Sequence, residues 1–319
     1  MDWSSIITVS LFAAGLRLAV PTALAAVGEC FCERAGVLNL GLEGMMLSGA
    51  LASFLGAYYS HSLVVGVFTG VGAGLVVGAV KAFLSVTLKT DQVINGIAIV
   101  IFAQGITAFT YEKIFSLSSK SPQVAPLHAV EIPVLGSIPW VGPVLFNQNV
   151  LIYVSLLLAL SVWVLLYRTR FGLYVRAVGE NPAAGDAAAV HVDRVRWLAV
   201  LVCGALAGLG GAVLIVGEIG IFTLNVTAGR GWVAIALVIF GRWNPILVLG
   251  GALLFGFTDA LQLRIQASSG GTESGVPYEL FQALPYLITL VVMVAATMWS
   301  RRDAQPSALG LGFVKEVRD

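Results

Sequence analysis

The side chains best suited to chemistry lie in one short segment between the first two apolar stretches. Segment 29–46 contains three carboxylates, an arginine and an amide, namely Glu29, Glu33, Glu43, Arg34 and Asn39. An amide beside a carboxylate suits hydrogen bonding to the hydroxyl groups and base edges of a neutral polar solute. A charge at membrane depth costs about 2.5–3.5 kcal/mol on insertion scales, and such residues are functional by default. We therefore predict that this segment handles a small polar solute.

Glycines interrupt the same segment, at Gly36, Gly41 and Gly44. They indicate a broken helix, which membranes tolerate only where the backbone is buried in protein or lines water. If helix resumes near Asn39, then Asn39 and Glu43 lie one turn apart on one face. Two structural alternatives stay open: an ion pair between Glu33 and Arg34, and a Glu43 that caps a helix start.

The sequence lacks the motifs of phosphate-binding, metal-binding and serine-nucleophile sites. None of the five lysines follows a glycine, so the chain lacks the Gly-Lys pair of a phosphate-binding loop. The three histidines are scattered, the cysteines show no zinc-like spacing, and no serine lies in a G-x-S-x-G elbow. The net charge of +1 does not suggest nucleic-acid binding. We expect no enzymatic activity, no metal and no cofactor bound by this chain.

The composition identifies the elements that hold these residues. Hydrophobic residues make up 58% of the chain and charged ones 11%, against about 25% charged in soluble domains. Apolar stretches of about 20 residues, the length that crosses a membrane as a helix, fall at 5–27, 36–60, 63–88, 93–116, 149–167, 197–217, 221–241, 246–265 and 280–299. We predict an all-α transmembrane bundle of about nine (8–10) spanning helices with a broken segment near 29–44.

Arginines indicate the orientation of the bundle. Segment 168–196 carries five of them, and two more follow the last apolar stretch, which places both regions in the cytoplasm by the positive-inside rule. The loop 117–148 is rich in proline and poor in charge, so we predict it outside. Residues 1–300 form one transmembrane domain in this interpretation, and residues 301–319 form a short cytoplasmic tail.

The predicted cytoplasmic segment 168–196 contains a sequence signal for the start of a helix. Asn181 is a favourable N-cap, Pro182 suits the first helical position, and an alanine-rich run follows. A short rigid helix of this kind can act as a peg for another protein. The alternative is a connector at the membrane surface, but alanines are too small to anchor in lipid.

Several motifs resemble one family of transporters. The run from Glu33 to Met46 resembles the signature of bacterial ABC-importer permeases of the nucleoside type, within the branched-chain amino acid and simple-sugar permease superfamily. The segment from Arg176 to Ala184 resembles the ATPase-docking loop of that superfamily, and blocks 228–245, 254–262 and 284–289 are similar to the nucleoside subgroup. Together these motifs cover most of residues 16–300.

The resemblance implies a transport subunit in the bacterial cytoplasmic membrane that forms half of a permease heterodimer. Its partners would be an ATPase subunit that holds ATP and Mg, a second permease subunit, and an extracytoplasmic or lipid-anchored solute-binding protein. The residues expected along the solute path are Glu33, Asn39, Glu43, Asn95 and Gln104. Those expected to dock the ATPase are Arg176, Gly179, Glu180, Asn181, Pro182 and Ala184.

One position departs from the subgroup. Val100 stands where an asparagine is common, and Gln104, one turn later on the same face, is expected to supply the amide. Three alternatives remain. A sugar importer would depend on aromatic stacking and carboxylates, and an amino acid importer would need a cation such as Arg34. A self-sufficient secondary transporter would show paired inverted repeats with matching broken helices.

Overall fold

The computed structural model describes residues 8–116, 122–131, 133, 136, 138–268, 283, 286–291, 294–295 and 305–313. Within these residues the helices are α1 (Val9–Arg34), α2 (Leu42–Ser60), α3 (Leu63–Ala82), α4 (Gln92–Phe115), α5 (Val150–Arg168), α6 (Arg170–Glu180), α7 (Pro182–Ala187), α8 (Val192–Ala212), α9 (Arg230–Phe240) and α10 (Pro245–Ser268). Turns of π-helix extend α3 over Phe83–Thr87 and α8 over Val213–Ile219, and another spans Gly142–Phe146. Strands β1 (Val130–Glu131) and β2 (Asn147–Gln148) pair antiparallel, with Val130 opposite Gln148.

Six helices in the described part of the chain are long and apolar enough to cross a membrane. They are Val9–Arg34, Leu63–Thr87, Gln92–Phe115, Val150–Arg168, Val192–Ile219 and Pro245–Ala267. The predicted all-α membrane bundle is confirmed, whereas the count of about nine spans is not. The predicted stretch 280–299, the tail 301–319 and the loop 117–148 each lie partly outside the described residues.

The predicted span 221–241 is wrong. The backbone turns at Gly220 and again before Gly229, both with positive φ, and helix α9 begins only at Arg230. Its 11 residues reach about 16 Å at 1.5 Å per residue. This covers about half of a hydrocarbon core roughly 30 Å thick, because the first half of the apolar stretch is irregular.

Glycines let α3 approach α8 at backbone distance, as their four-residue spacing predicts. A Cβ added to Gly74 would lie 2.7 Å from Gly208 Cα, and one added to Gly204 would lie 3.0 Å from Gly78 Cα. Side chains larger than hydrogen do not fit there. The two helices therefore pack as small-xxx-small neighbours, and α8 is buried together with α1 at the centre of the bundle.

The loops gather at two ends of the bundle. At one end, which we call the arginine-rich end, Thr87 accepts a hydrogen bond from Trp197 Nε1 at 3.0 Å, and segment 305–313 contacts both α6 and the break after α1. At the proline-rich end, Val124 N donates to Gly220 O at 2.8 Å. Helix α8 and its π extension connect the two groups. Loops with the same predicted sidedness thus lie together, while the end that faces the cytoplasm stays a prediction.

Candidate functional site

The helix break lies between α1 and α2. Helix α1 ends at Arg34 and α2 begins at Leu42, so Glu29 and Glu33 belong to α1 and Glu43 to α2. The expectation that helix resumes near Asn39 is wrong by three residues. Asn39 Oδ1 instead accepts a hydrogen bond from the backbone N–H of Gly41 at 3.1 Å, and such local side-chain bonding competes with helix.

Asn39 is completely buried and ties the break to three helices, α1, α2 and α8. Its backbone N–H donates to Glu29 Oε1 at 2.9 Å, and its Nδ2 lies 3.4 Å from Met45 Sδ and from Cys203 Sγ. Cys203 in turn donates to Glu29 Oε2 at 3.3 Å. The amide is therefore occupied by protein groups in this conformation, and its place on a solute path stays a prediction. All three cysteines are buried and form no disulfide.

Glu43 caps the start of α9. One carboxylate oxygen accepts from Thr227 Oγ1 at 2.5 Å and Gly229 N at 3.0 Å, and the other accepts from Gly231 N at 2.6 Å. The first N–H groups of a helix lack intrahelical partners and favour a negative charge. The alternative that Glu43 caps a helix start is thus the one observed, although the helix is α9. Asn39 and Glu43 do not share a face, since they contact different helices.

Glu33 and Arg34 both form hydrogen bonds with Trp243 instead of pairing with each other. Trp243 Nε1 donates to Glu33 Oε2, and Arg34 Nε donates to the Trp243 carbonyl at 2.8 Å. Arg34 Nη1 also lies 4.0 Å from Glu180 Oε1. Glu33 Oε1 is buried and has no hydrogen-bond partner among the described residues. The alternative of a Glu33–Arg34 ion pair is therefore not observed among the described residues, because both side chains are bonded to Trp243 instead.

Asn95 belongs to a buried polar cluster that the sequence analysis missed. Its Oδ1 accepts from Lys81 Nζ at 2.5 Å, and its Nδ2 donates to Ser85 and Thr90 hydroxyls at 3.0 Å each. Lys81 is also bonded to Gln92 O at 2.7 Å. A single lysine inside the apolar stretch 63–88 was the available signal, because a buried ammonium requires oxygen partners.

Gln104 and Val100 face different surroundings. Val100 is buried at 5% exposure, and its Cα would lie 3.2 Å from a Cβ added to Gly44 on α2. Gln104 is exposed on α4. The expectation that Gln104 supplies an amide on the face of Val100 is therefore wrong, because only Val100 packs against α2.

The predicted docking loop folds as its local signals indicate. Asn181 Oδ1 accepts from Ala184 N at 3.0 Å, and Pro182 opens the short helix α7. Both helix start and cap are confirmed. Arg176 packs over the Tyr167 ring, 5.2 Å from its centroid. The outer surface of this loop is formed by exposed alanines at positions 183, 184, 187, 188 and 189.

Gly179 is buried against the rest of the protein, whereas Glu180 is exposed and bonded to segment 305–313. A Cβ on Gly179 would collide with the carbonyl oxygen of Arg34, so the loop contacts the end of α1 at backbone distance. Glu180 Oε2 accepts hydrogen bonds from the N–H and hydroxyl of Ser307 at 3.3 and 3.2 Å. The predicted path and docking residues are thus adjacent at Arg34, which no sequence spacing indicates.

Comparison with known proteins places this geometry in a family context. Residues 11–297 match the family described as branched-chain amino acid transport system / permease component. The chain is 33% identical to the guanosine ABC transporter permease protein NupQ of Bacillus subtilis over 328 residues, which covers 100% of both chains. It is 31% identical to the nucleoside ABC transporter permease protein NupC of Lactococcus lactis, covering 94% of this chain and 95% of the relative.

A third relative carries a sugar in its name. The chain is 37% identical to the "Putative glucose ABC transporter permease protein TsgC13" of Haloferax volcanii, covering 96% of this chain and 99% of the relative. No solved structure matches the chain.

Proposed function

The chain belongs to the permease-component family of branched-chain amino acid transport systems, and from this membership we propose that it is the transmembrane permease subunit of an ATP-driven importer for nucleosides. The similarity to NupQ over the whole length of both chains is the observation that carries the proposal. The chain is a multi-pass membrane protein. We place it in the bacterial cytoplasmic membrane, with residues 1–300 as one permease domain.

Energy enters through a partner in this proposal. The chain has no Gly-Lys phosphate loop, so a separate ATPase subunit would hold ATP and Mg. The docking residues Arg176, Gly179, Glu180, Asn181, Pro182 and Ala184 present α7 to that subunit. Gly179 contacts the Arg34 carbonyl at backbone distance. This contact supports the assignment, because a displacement of α7 would be transmitted through it to the helix break.

Glu33, Asn39 and Glu43 would control the solute path from the break. Each holds the break to a different element: Glu33 to the turn at Trp243, Asn39 to α8, and Glu43 to α9. Exchanging these bonds for bonds to a solute would free the elements from one another. We infer that the broken segment forms one wall of the path, and that Asn95 supports it from the neighbouring Lys81 cluster.

A second permease subunit would cover the outer face of α4. Ile94, Ile101, Phe102 and Phe109 are each at least 60% exposed there, and Gln104 is exposed among them. Polar side chains within spans seldom face lipid, so the face suits another membrane helix with a path between the subunits. We propose a heterodimer, with a solute-binding protein at the proline-rich end.

One observation favours a second candidate. The similarity to TsgC13 covers 96% of the chain, so a simple sugar is the alternative solute. An amino acid fits less well, because Arg34 is engaged by the Trp243 carbonyl and Glu180. Membership of a permease-component family likewise disfavours a self-sufficient secondary transporter.

Reconstitution tests the proposal. The chain, assembled in liposomes with its ATPase, second permease and binding protein, should accumulate radiolabelled guanosine only with ATP. Unlabelled nucleosides should compete, whereas glucose and leucine should not. Competition by glucose alone would select the sugar candidate, and concentrative uptake by this chain alone would overturn the ABC assignment.

A further inference from the structure

The C-terminal segment 305–313 is fastened to the docking loop and to the helix break by backbone hydrogen bonds. Ala308 N donates to Gly179 O at 2.9 Å, and Gly310 N donates to Gly36 O at 3.1 Å. Gly36 has φ of 85° and sits where a Cβ would lie 3.0 Å from Arg196 Nη2. The docking loop and the helix break are therefore joined by a segment that lies more than a hundred residues after both of them in the sequence.

Side chains strengthen the same junction. Arg196 is 2% exposed, and it donates from Nη1 to Leu311 O at 2.8 Å and from Nε to Ala35 O at 3.3 Å. A buried guanidinium requires such acceptors, and the segment supplies one of them to Arg196 at the start of α8. At the exposed surface, Ser307 donates two hydrogen bonds to Glu180 Oε2.

The segment also continues the exposed surface of α7. A cavity of about 520 Å³ is lined by Asp186, by residues 189–194 of the α7–α8 connection and the start of α8, and by Phe313 of the segment. Leu311, two residues before Phe313, is 60% exposed. Because Leu311 contributes only its carbonyl to Arg196, its side chain is available to a partner. A protein that lies on the alanine face of α7 and fills this cavity meets the segment as well.

We propose that segment 305–313 is the second half of the ATPase-docking surface. The ATPase subunit contacts Leu311 and the α7 alanines together, and the bonds to Gly179 and Gly36 transmit its movement to the helix break. This inference rests on the proposed function. It differs from a docking site on α7 alone, in which Glu180 itself contacts the ATPase.

Surface substitutions at Leu311 test the contact. Leu311→Asp should weaken co-purification of the ATPase by about tenfold, the effect of losing an apolar anchor at an interface, while Leu311→Met retains it. Leu224→Asp is the matched control, since Leu224 is 52% exposed in the loop that follows Gly220 at the proline-rich end. Wild-type ATPase association by the Leu311→Asp variant would overturn the inference.

A cross-link tests transmission. In a Ser307→Cys/Glu180→Cys variant, the native cysteines are buried, so oxidation joins the loop to the segment. Oxidation should leave uptake at the level of the same variant under reducing conditions, since the two move as one body. Loss of uptake on oxidation, restored by reduction, would contradict that mechanism. Absence of ATP-dependent uptake by the wild-type assembly would instead defeat the proposed function and is read from the unmodified chain.

Discussion

Glu43 and Gly231 meet at a distance that leaves no room for a methyl group. The Gly231 N–H donates to Glu43 Oε2 at 2.6 Å, and a Cβ on Gly231 would lie 2.6 Å from Glu43 Cα. The same carboxylate accepts from Thr227 and from Gly229. The start of α9 is therefore held by α2, and the position of this half-length helix depends on the Glu43 side chain.

Substitution of Gly231 should displace α9. Gly231→Ala forces the helix away from α2, an overpacking cost of about 1–3 kcal/mol, and uptake should fall strongly with a lower Tm in detergent. Gly250→Ala is the matched control, because nothing lies within 4 Å of a Cβ added at that glycine. Unchanged uptake by Gly231→Ala would show that the α2–α9 contact is dispensable.

Loss of the Glu43 charge should have the same structural consequence. Glu43→Ala leaves three donors without their acceptor, and hydrogen bonds to charged groups contribute about 1.5–3 kcal/mol each. Glu43→Gln keeps one of the two acceptor oxygens, so its Tm should lie between those of the wild type and Glu43→Ala. Thermal unfolding of the purified chain, followed by intrinsic fluorescence, ranks the three proteins. Equal Tm values would argue against capping as the role of Glu43.

The docking loop and the break should separate in function. Replacing Glu180 and Asn181 together by Ala removes the α7 cap, worth about 0.5–2 kcal/mol, and should weaken ATPase association without changing solute preference. Asn149→Ala removes a comparable cap, on Ile152 N at the start of α5, and should leave ATPase association intact. A changed ranking of solutes in the Glu180/Asn181 variant would reassign the loop.

Asn39→Ala should produce the opposite phenotype. The complex should assemble, but the ranking of nucleosides should change, because a lost amide penalises only the solutes it paired, by about 0.5–1.5 kcal/mol per hydrogen bond. Competition uptake with several nucleosides in the assembled transporter measures this. A uniform loss for all solutes would instead indicate that Asn39 acts only through its bonds to Gly41 and Cys203.

The buried lysine offers a double-mutant test. Asn95→Leu leaves Lys81 with fewer acceptors, and a hydrogen bond to a charged group contributes about 1.5–3 kcal/mol. The chain should lose thermal stability. Lys81→Met combined with Asn95→Leu should recover most of it, since an apolar replacement of both partners removes the unpaired charge. A double variant no more stable than Asn95→Leu would favour a direct path role for Asn95.

Cysteine labelling tests the orientation. A cysteine at Ala187, which is exposed on α7, should react with an impermeant maleimide only from the cytoplasmic side. One at Gln123 should react only from outside. The buried native cysteines keep the background low. The reverse pattern would overturn the orientation derived from the arginines of segment 168–196.

Features encoded within a few residues could be predicted from the sequence. Asn181 and Pro182 specify the start of α7 through chemistry that reaches only three residues along the chain. The glycine spacing likewise predicted close helix packing. By contrast, Asn39 and Glu43 were placed on one face by assuming helix from Asn39 onward. The turn made by Asn39 itself with Gly41 N prevented that.

Partners distant in sequence could not be predicted. Glu43 contacts Gly231 and Glu33 contacts Trp243 across about two hundred residues, and neither pairing has a periodicity that a single sequence displays. The contact of Ala308 with Gly179 could not be predicted either. A short polar segment with glycines has the sequence of a solvent-exposed tail whether or not it packs against the rest of the protein. The resemblance to the transporter family identified the segments but not their mutual contacts.

The glycine contact between α3 and α8 has a mechanical consequence. Where Gly74 meets Gly204 and Gly208, no side chain can change rotamer, because a Cβ added to any of the three would lie less than 3.0 Å from the backbone of the other helix. Glycines lose no side-chain entropy when the two helices pack together. The interface also has no side-chain rotamers through which it could repack. We expect these two helices to stay together as one rigid pair during a transport cycle, so that other elements of the bundle move relative to this pair.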